Sequence, residues 1–181
     1  NPFVIAAGGY DTLGTTATGD DVVGAYSASS KNCAACKTPT LIAPGSHMQG
    51  LRVPGSYIDL THPEGQLGTR YFRGSGTSQA AAILSGAIAL VLQRYPSMTP
   101  DQVKKLLTIN AFKLVGPGAT VQGYGELNLT ATAAYNTSAL FDKKGVFLYP
   151  QTTTAATGTG SLETARGTVH LTRDGVTLTG E

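Results

Sequence analysis

The sequence predicts an α/β domain, a sheet of short strands flanked by helices, with a small β-hairpin appended at its C-terminal end. Three observations carry this. Residues 3–7, 22–26 and 40–43 are short apolar runs without clean alternation, as in strands covered on both faces, and antiparallel pieces fit the same pattern. Residues 79–95 are rich in Ala, Leu and Ile, hold no proline and stop at Pro96, which marks a helix. Residues 168–172 and 176–179 flank Arg173-Asp174-Gly175, an Asp-Gly hairpin signal between alternating segments.

Taken in order, the first strand ends at Gly8-Gly9, and the Gly- and Thr-rich stretch 11–21 is expected to be a surface loop. The run 40–43 is cut off by Pro44-Gly45. Residues 46–78 read as a long loop with turn signals at Pro54-Gly55, Pro63-Glu64-Gly65 and Gly74-Ser75-Gly76, and loops of that length are usually functional. The following helix is apolar on nearly every side through Leu92, so it is expected to be central and buried all round. Gly86 within it costs about 1 kcal/mol relative to Ala, which predicts tight packing against another backbone. A second helix has Thr99 as N-cap, Pro100 at its first position and Gln102 completing a capping box, with Val103, Leu106 and Leu107 inward and Lys104-Lys105 toward water. Gly123-Tyr124-Gly125 reads as a tight turn and 131–135 as a short helix. Past Pro150 a Thr/Gly run sets off residues 150–181, linker and hairpin, from the main domain at 1–149.

Composition excludes several functions. The chain has 181 residues, enough for one core, and only 13% of them are charged against roughly 25% in an average globular protein. Thirteen basic and eleven acidic residues with no basic block argue against nucleic-acid binding. The longest apolar run, Ala80 to Leu92, is shorter than the roughly 20 residues that span a bilayer, so no membrane span is expected. Low charge with abundant Gly, Thr and Ser leans toward a secreted protein. The first residues show no signal-peptide pattern and open on a strand-like segment, which points to a mature or cleaved piece.

The sharpest chemical feature is Gly76-Thr77-Ser78 at the mouth of the apolar helix. Free N–H groups and partial positive charge gather there, so a serine hydroxyl could meet substrate while the helix end stabilises an oxyanion. The plainer reading makes Thr77 or Ser78 an N-cap. A serine nucleophile also needs a base, and none of His47, His62 and His170 has a spacing that pairs it with Ser78. Cys33 and Cys36, in a Cys-Ala-Ala-Cys loop, could be half a zinc site, a redox pair or a local disulfide. With no second pair and a secreted character, the disulfide is expected. No metal site is expected; Asp11, Asp20 and Asp21 are the carboxylates that could offer oxygens to calcium.

The block Gly76-Thr77-Ser78-Gln79-Ala80-Ala81-Ala82, followed by Leu84-Ser85-Gly86-Ala87-Ile88-Ala89-Leu90, resembles the serine block of the subtilisin-like serine proteases, the subtilases. Pro2-Phe3-Val4-Ile5-Ala6-Ala7-Gly8, Thr40-Leu41-Ile42-Ala43-Pro44-Gly45 and Gly123-Tyr124-Gly125-Glu126-Leu127-Asn128 resemble three further family segments in the family's order. Together they span about residues 1–136. The resemblance implies the C-terminal half of a subtilisin-like three-layer fold, with a mostly parallel sheet flanked by helices. It implies a serine endopeptidase whose nucleophile is Ser78, with Gly74, Gly76 and Thr77 around the substrate and oxyanion region.

Three positions depart from the common family form: Gln79 stands for Met or Phe, Ala82 for proline and Ile83 for histidine. In the family the catalytic aspartate and histidine and the oxyanion-hole asparagine precede the segment resembling Pro2 to Gly8, and no place for them exists among these residues. The implied partner is therefore the N-terminal half of the same protease, with a peptide or protein as substrate and no required cofactor. The alternative is an inactive subtilase-like binding module whose missing half lacks the base.

Overall fold

The computed structural model describes residues 4–30, 38–150, 152, 157–161 and 172–177. The chain divides into two units, Asn1–Gln151 and Thr152–Glu181. Cys33, Cys36 and His170 lie outside the described residues, and so do Phe3 and most of the first arm of the expected hairpin.

The first unit is organised by a three-stranded sheet of order β2-β1-β3, formed by β1 (Ala7–Asp11), β2 (Val22–Val23) and β3 (Leu41–Pro44). β1 and β3 are parallel, whereas β2 is antiparallel to the end of β1. Both β1 and β3 begin later than the apolar runs suggest, and β2 is cut to two residues. Side chains alternate across the sheet as the two-residue strand period requires. Leu41 and Ala43 join the main core with Ala80, Leu84, Val91, Val103, Leu106, Leu107 and Leu140. Ile42 faces the other way and packs with Tyr10 and Leu114. β3 is thus covered on both faces, which is why its sequence lacks alternation.

The excursion between β3 and the serine block is structured rather than a loop. It forms β4 (Met48–Leu51), α1 (Tyr57–Thr61), a 3-10 turn, β5 (Gln66–Leu67) and β6 (Tyr71–Gly74), with an antiparallel sheet of order β4-β6-β5. These strands are too short and mixed in polarity to show a period in the sequence.

α2 (Thr77–Arg94) is the long apolar helix, and its burial differs from the expectation. Only Ala80, Leu84, Ala87 and Val91 are buried, the i, i+4, i+7, i+11 stripe of a single face. Ala81, Ala82, Ile83, Gly86, Leu90 and Leu92 are exposed, and nothing lies within 4 Å of where a Gly86 side chain would start. The helix is apolar all round but covered on one side only.

α3 (Pro100–Ile109) matches the reading of its termini. The Thr99 hydroxyl accepts from Gln102 N–H and the Gln102 side chain closes the capping box on Thr99 N–H, while Val103, Leu106 and Leu107 are buried. Lys104 and Lys105 are half-buried rather than fully in water: Lys104 donates to Val4 C=O at 2.8 Å, and the Lys105 ammonium sits 3.8 Å from the Tyr149 ring centroid. α4 (Ala119–Gln122) and α5 (Leu129–Ala134) follow, the latter capped by the Asn128 side chain. In the second unit β7 (Thr172–Arg173) and β8 (Val176–Thr177) pair antiparallel around Asp174 and Gly175, both at positive φ as the two-residue turn requires.

Between α4 and α5, residues 125–127 lie along the outer edge of β3: Ile42 N–H donates to Gly125 C=O and Leu127 N–H to Ile42 C=O. This places Glu126 in the interior, 1% exposed, against Asp21 from the loop before β2. One oxygen of each carboxyl is buried without a hydrogen-bond partner. Two touching carboxyls cannot both ionise cheaply. Burial, reinforced by the Asp21 charge and hydrogen bond, pushes Glu126 up to about 8, and burial likewise raises Asp21; Tyr10 is raised by burial and then by these two acids.

Because the folded state holds this proton longer than the unfolded chain, stability is fully present below the ordinary glutamate value of 4.5 and declines as the pH climbs toward about 8. Glu126→Gln in the full-length protein is expected to flatten that decline and raise Tm at pH 8, since the amide fills the same space and can donate to Asp21. Thermal unfolding from pH 5 to pH 8.5 checks it; an unchanged slope refutes the shared proton.

Candidate active site

The serine block is held by the loop that follows β3. Gly76, the N-cap of α2, donates its N–H to Gly45 C=O at 2.8 Å, and His47 N–H donates to the Ser75 hydroxyl at 2.9 Å. Gly45 has to be glycine here: a Cβ would lie 2.9 Å from the Gly76 carbonyl oxygen and 2.8 Å from the Tyr26 hydroxyl. Tyr26 supports this loop from below, its hydroxyl 2.9 Å from the Ser46 hydroxyl. The turn into α2 is therefore pinned at Ser75 and Gly76 by the residues that follow β3.

Ser78 is the second residue of α2 and is exposed. Its hydroxyl makes no hydrogen bond among the described residues, and Gly76 rather than Thr77 or Ser78 occupies the capping position, so the N-cap reading of these two side chains fails. The first bond of the helix runs from Ala80 N–H to Gly76 C=O at 3.3 Å. The N–H groups of Thr77, Ser78 and Gln79 precede it and form the positive end of an 18-residue helix. An anion forming on a carbonyl bonded to the Ser78 oxygen would meet those donors.

Gly74 and Gly76 lie beside the serine under the Gln79 side chain, whose amide atoms are 3.2 and 2.8 Å from where their Cβ atoms would be. Gln79 and Tyr26 are the positioning residues that sequence reasoning missed. The clusters of glycine around them, at Gly9, Gly24 and Gly45 for Tyr26, are the signal that could have found the tyrosine, because its ring occupies the space a side chain at each would need.

Among the described residues no base makes a hydrogen bond to Ser78. The His47 ring is 3.5 Å from Asp11, and the His62 ring is 3.0 Å from Glu64. The acids considered as calcium oxygens do not gather: Asp20 accepts from the Thr15 hydroxyl at 3.0 Å, Asp11 takes Leu13 N–H at 2.9 Å, and Asp21 faces Glu126. Among the described residues no group of three or more His, Cys, Asp or Glu side chains is placed to hold a metal ion, and no helix is long and apolar enough to cross a membrane.

Comparison with known proteins fits this geometry. The family model described as the subtilase family, Peptidase_S8, matches residues 2–146. The chain belongs to the subtilase family. The serine protease AprX of Bacillus subtilis (strain 168) is 37% identical to this subtilase over 125 residues, which is 69% of the chain and 28% of the relative. Fervidolysin of Fervidobacterium pennivorans is 42% identical over 57 residues, covering 31% of the chain and 8% of the relative. The crystal structure of fervidolysin, a keratinolytic enzyme related to subtilisin, superposes with a TM-score of 0.57 at 27% identity, covering 75% of this chain and 20% of that one. The mixed α/β architecture is thus a partial subtilisin-like fold, and the chain spans less than a third of each of these relatives.

Proposed function

We propose that this chain is the nucleophile-bearing part of a serine endopeptidase, active when an N-terminal part of the same protein supplies the histidine, the aspartate and the oxyanion-hole asparagine. The observation that carries this reading is the exposed Ser78 hydroxyl in the first turn of α2, without a hydrogen-bond partner among the described residues. In the proposed reaction the Ser78 oxygen bonds to the scissile carbonyl carbon, and its proton passes to the histidine. The carbonyl oxygen carries the negative charge and is met by Ser78 N–H and the asparagine. The C–N bond breaks as the histidine returns the proton to the leaving amine. Water, activated by the same histidine, then releases the acyl group from Ser78.

The uncovered side of α2 supports the partner in this proposal. Ile83 and Leu90 on one flank of that side and Leu92 on the other are exposed apolar side chains of a kind that a soluble fold normally covers. Residues 1–181 expressed alone are expected to aggregate or bind a hydrophobic dye, whereas co-expression with the N-terminal part yields a complex that unfolds in one transition. Intact mass spectrometry of the native protein tests the pairing: a second polypeptide, or one longer chain containing these residues, supports it. A monodisperse, dye-negative 181-residue chain overturns it. Export from the cell belongs to the same proposal and rests on the low charge of the chain; so does a disulfide between Cys33 and Cys36.

A further inference from the structure

α1 is built inside out. Its one buried residue is Asp59, 3% exposed, while Tyr57, Ile58 and Leu60 are 79%, 58% and 71% exposed. An ordinary surface helix does the reverse. The inversion is enforced by hydrogen bonds. Arg52 grips Asp59 with both ends of its fork, Nε to one oxygen at 2.6 Å and a terminal nitrogen to the other at 3.1 Å. Gly55 N–H and the Gln66 amide also donate to the carboxylate, at 2.9 and 3.0 Å, and Ser56 caps the helix. Arg52 further donates to Gly68 C=O at 3.1 Å, closing the excursion on itself. The polar residues form the inside of this arm, and Leu51 and Val53 extend its apolar outside.

The arm adjoins the segment that leads into α2. A trough of about 570 Å³ is lined by Ile58, His62 and Glu64 from the arm, by Phe72, Arg73, Gly74 and Ser75 from β6 and the turn after it, and by His47. Its volume suits a bound side chain or two of an extended peptide. His62 is paired with Glu64 and His47 with Asp11, while Arg73 makes no ion pair among the described residues, so the trough offers a ligand the apolar surface of Ile58 and Phe72 and one cation. Ser75 is one residue before the cap of α2, and Ser78 is in the next turn.

We propose that the arm between β3 and α2 recognises substrate: its outward face, Tyr57, Ile58 and Leu60, receives an apolar stretch of the polypeptide whose neighbouring bond Ser78 attacks. This rests on the peptidase reading. Continuity of the apolar face, through Ile58, with the trough next to the segment leading into α2 selects the substrate as occupant over another protein, and the exposed apolar trio itself selects an apolar stretch.

The test uses the full-length protein carrying Tyr57→Ser, Ile58→Ser and Leu60→Ser together, with Val115→Ser as a control at an exposed valine outside the arm. Two long peptides share the residues at the scissile bond and differ only in an apolar or a polar flanking stretch. A fluorophosphonate that labels Ser78 serves as the readout of the serine itself. The expected result is that the apolar-over-polar preference in kcat/KM falls about tenfold in the triple variant, through KM. The control keeps the preference, and the triple variant keeps the unsubstituted labelling rate and Tm. Equal preference in the triple variant and the unsubstituted protein overturns the arm's role. So does a fall of several degrees in Tm with slower labelling, which means the face is covered by the rest of the protein. If the unsubstituted protein is not labelled at all, the peptidase reading fails and the arm's role with it; labelling without an apolar preference sinks the arm alone.

Discussion

Ser78→Ala in the full-length protein is expected to remove peptide hydrolysis, lowering kcat on the order of 10⁶-fold, the magnitude established for subtilisin's own serine. Fluorophosphonate labelling disappears with it, while Tm stays within about a degree. The contrast between activity and stability follows from the geometry. The hydroxyl makes no hydrogen bond among the described residues, the side chain is exposed, and the helix is capped by Gly76, so truncation removes no cap. Alanine is moreover a better helix former than serine. Had Ser78 been a capping residue, the same substitution would cost about 1 kcal/mol and leave chemistry alone. Loss of Tm with retained hydrolysis would therefore return Ser78 to a structural role.

Gly123→Ala should be the most damaging single methyl in the main unit. Gly123 has φ 62° and ψ −125°, a backbone conformation essentially confined to glycine. A Cβ there would lie 2.1 Å from Pro39 C=O and 2.6 Å from Thr40 C=O. Both obstacles are backbone atoms at the entry to β3, so no rotamer change relieves the overlap. The segment would have to withdraw from β3, taking with it the Thr40 and Ile42 hydrogen bonds to residues 124–127. Backbone strain and overpacking together are expected to cost about 3–5 kcal/mol. Thermal or denaturant unfolding of the full-length protein measures it, and because β3 leads directly into Gly45, slower labelling of Ser78 should accompany the loss. A Tm within one or two degrees of the unsubstituted protein contradicts this account of the turn.

What could be read from residues alone was set by local physics or by a dense motif. The α3 boundaries follow from Thr99, Pro100 and Gln102, whose capping bonds span three residues and need no tertiary partner. The hairpin turn follows from Asp174-Gly175 for the same reason. The serine block from Gly76 to Leu90, with three further segments in the family's order, announced both the family and the residue to look at.

The excursion 46–74 was not legible, because two- to four-residue strands show no period and α1 turns its charge inward. That inversion is visible only once Arg52, Asp59 and Gln66 are in contact. Nor could composition tell which side of α2 is covered: every face is apolar, and the stripe from Ala80 to Val91 is chosen by where β1, β3 and α3 stand. The Asp21 and Glu126 carboxyls belong to the same class. They are more than a hundred residues apart and meet because residues 125–127 add onto β3. Short-range hydrogen bonding and motif chemistry are written in consecutive residues; the burial of a face and the meeting of two charges depend on segments that only the folded chain brings together.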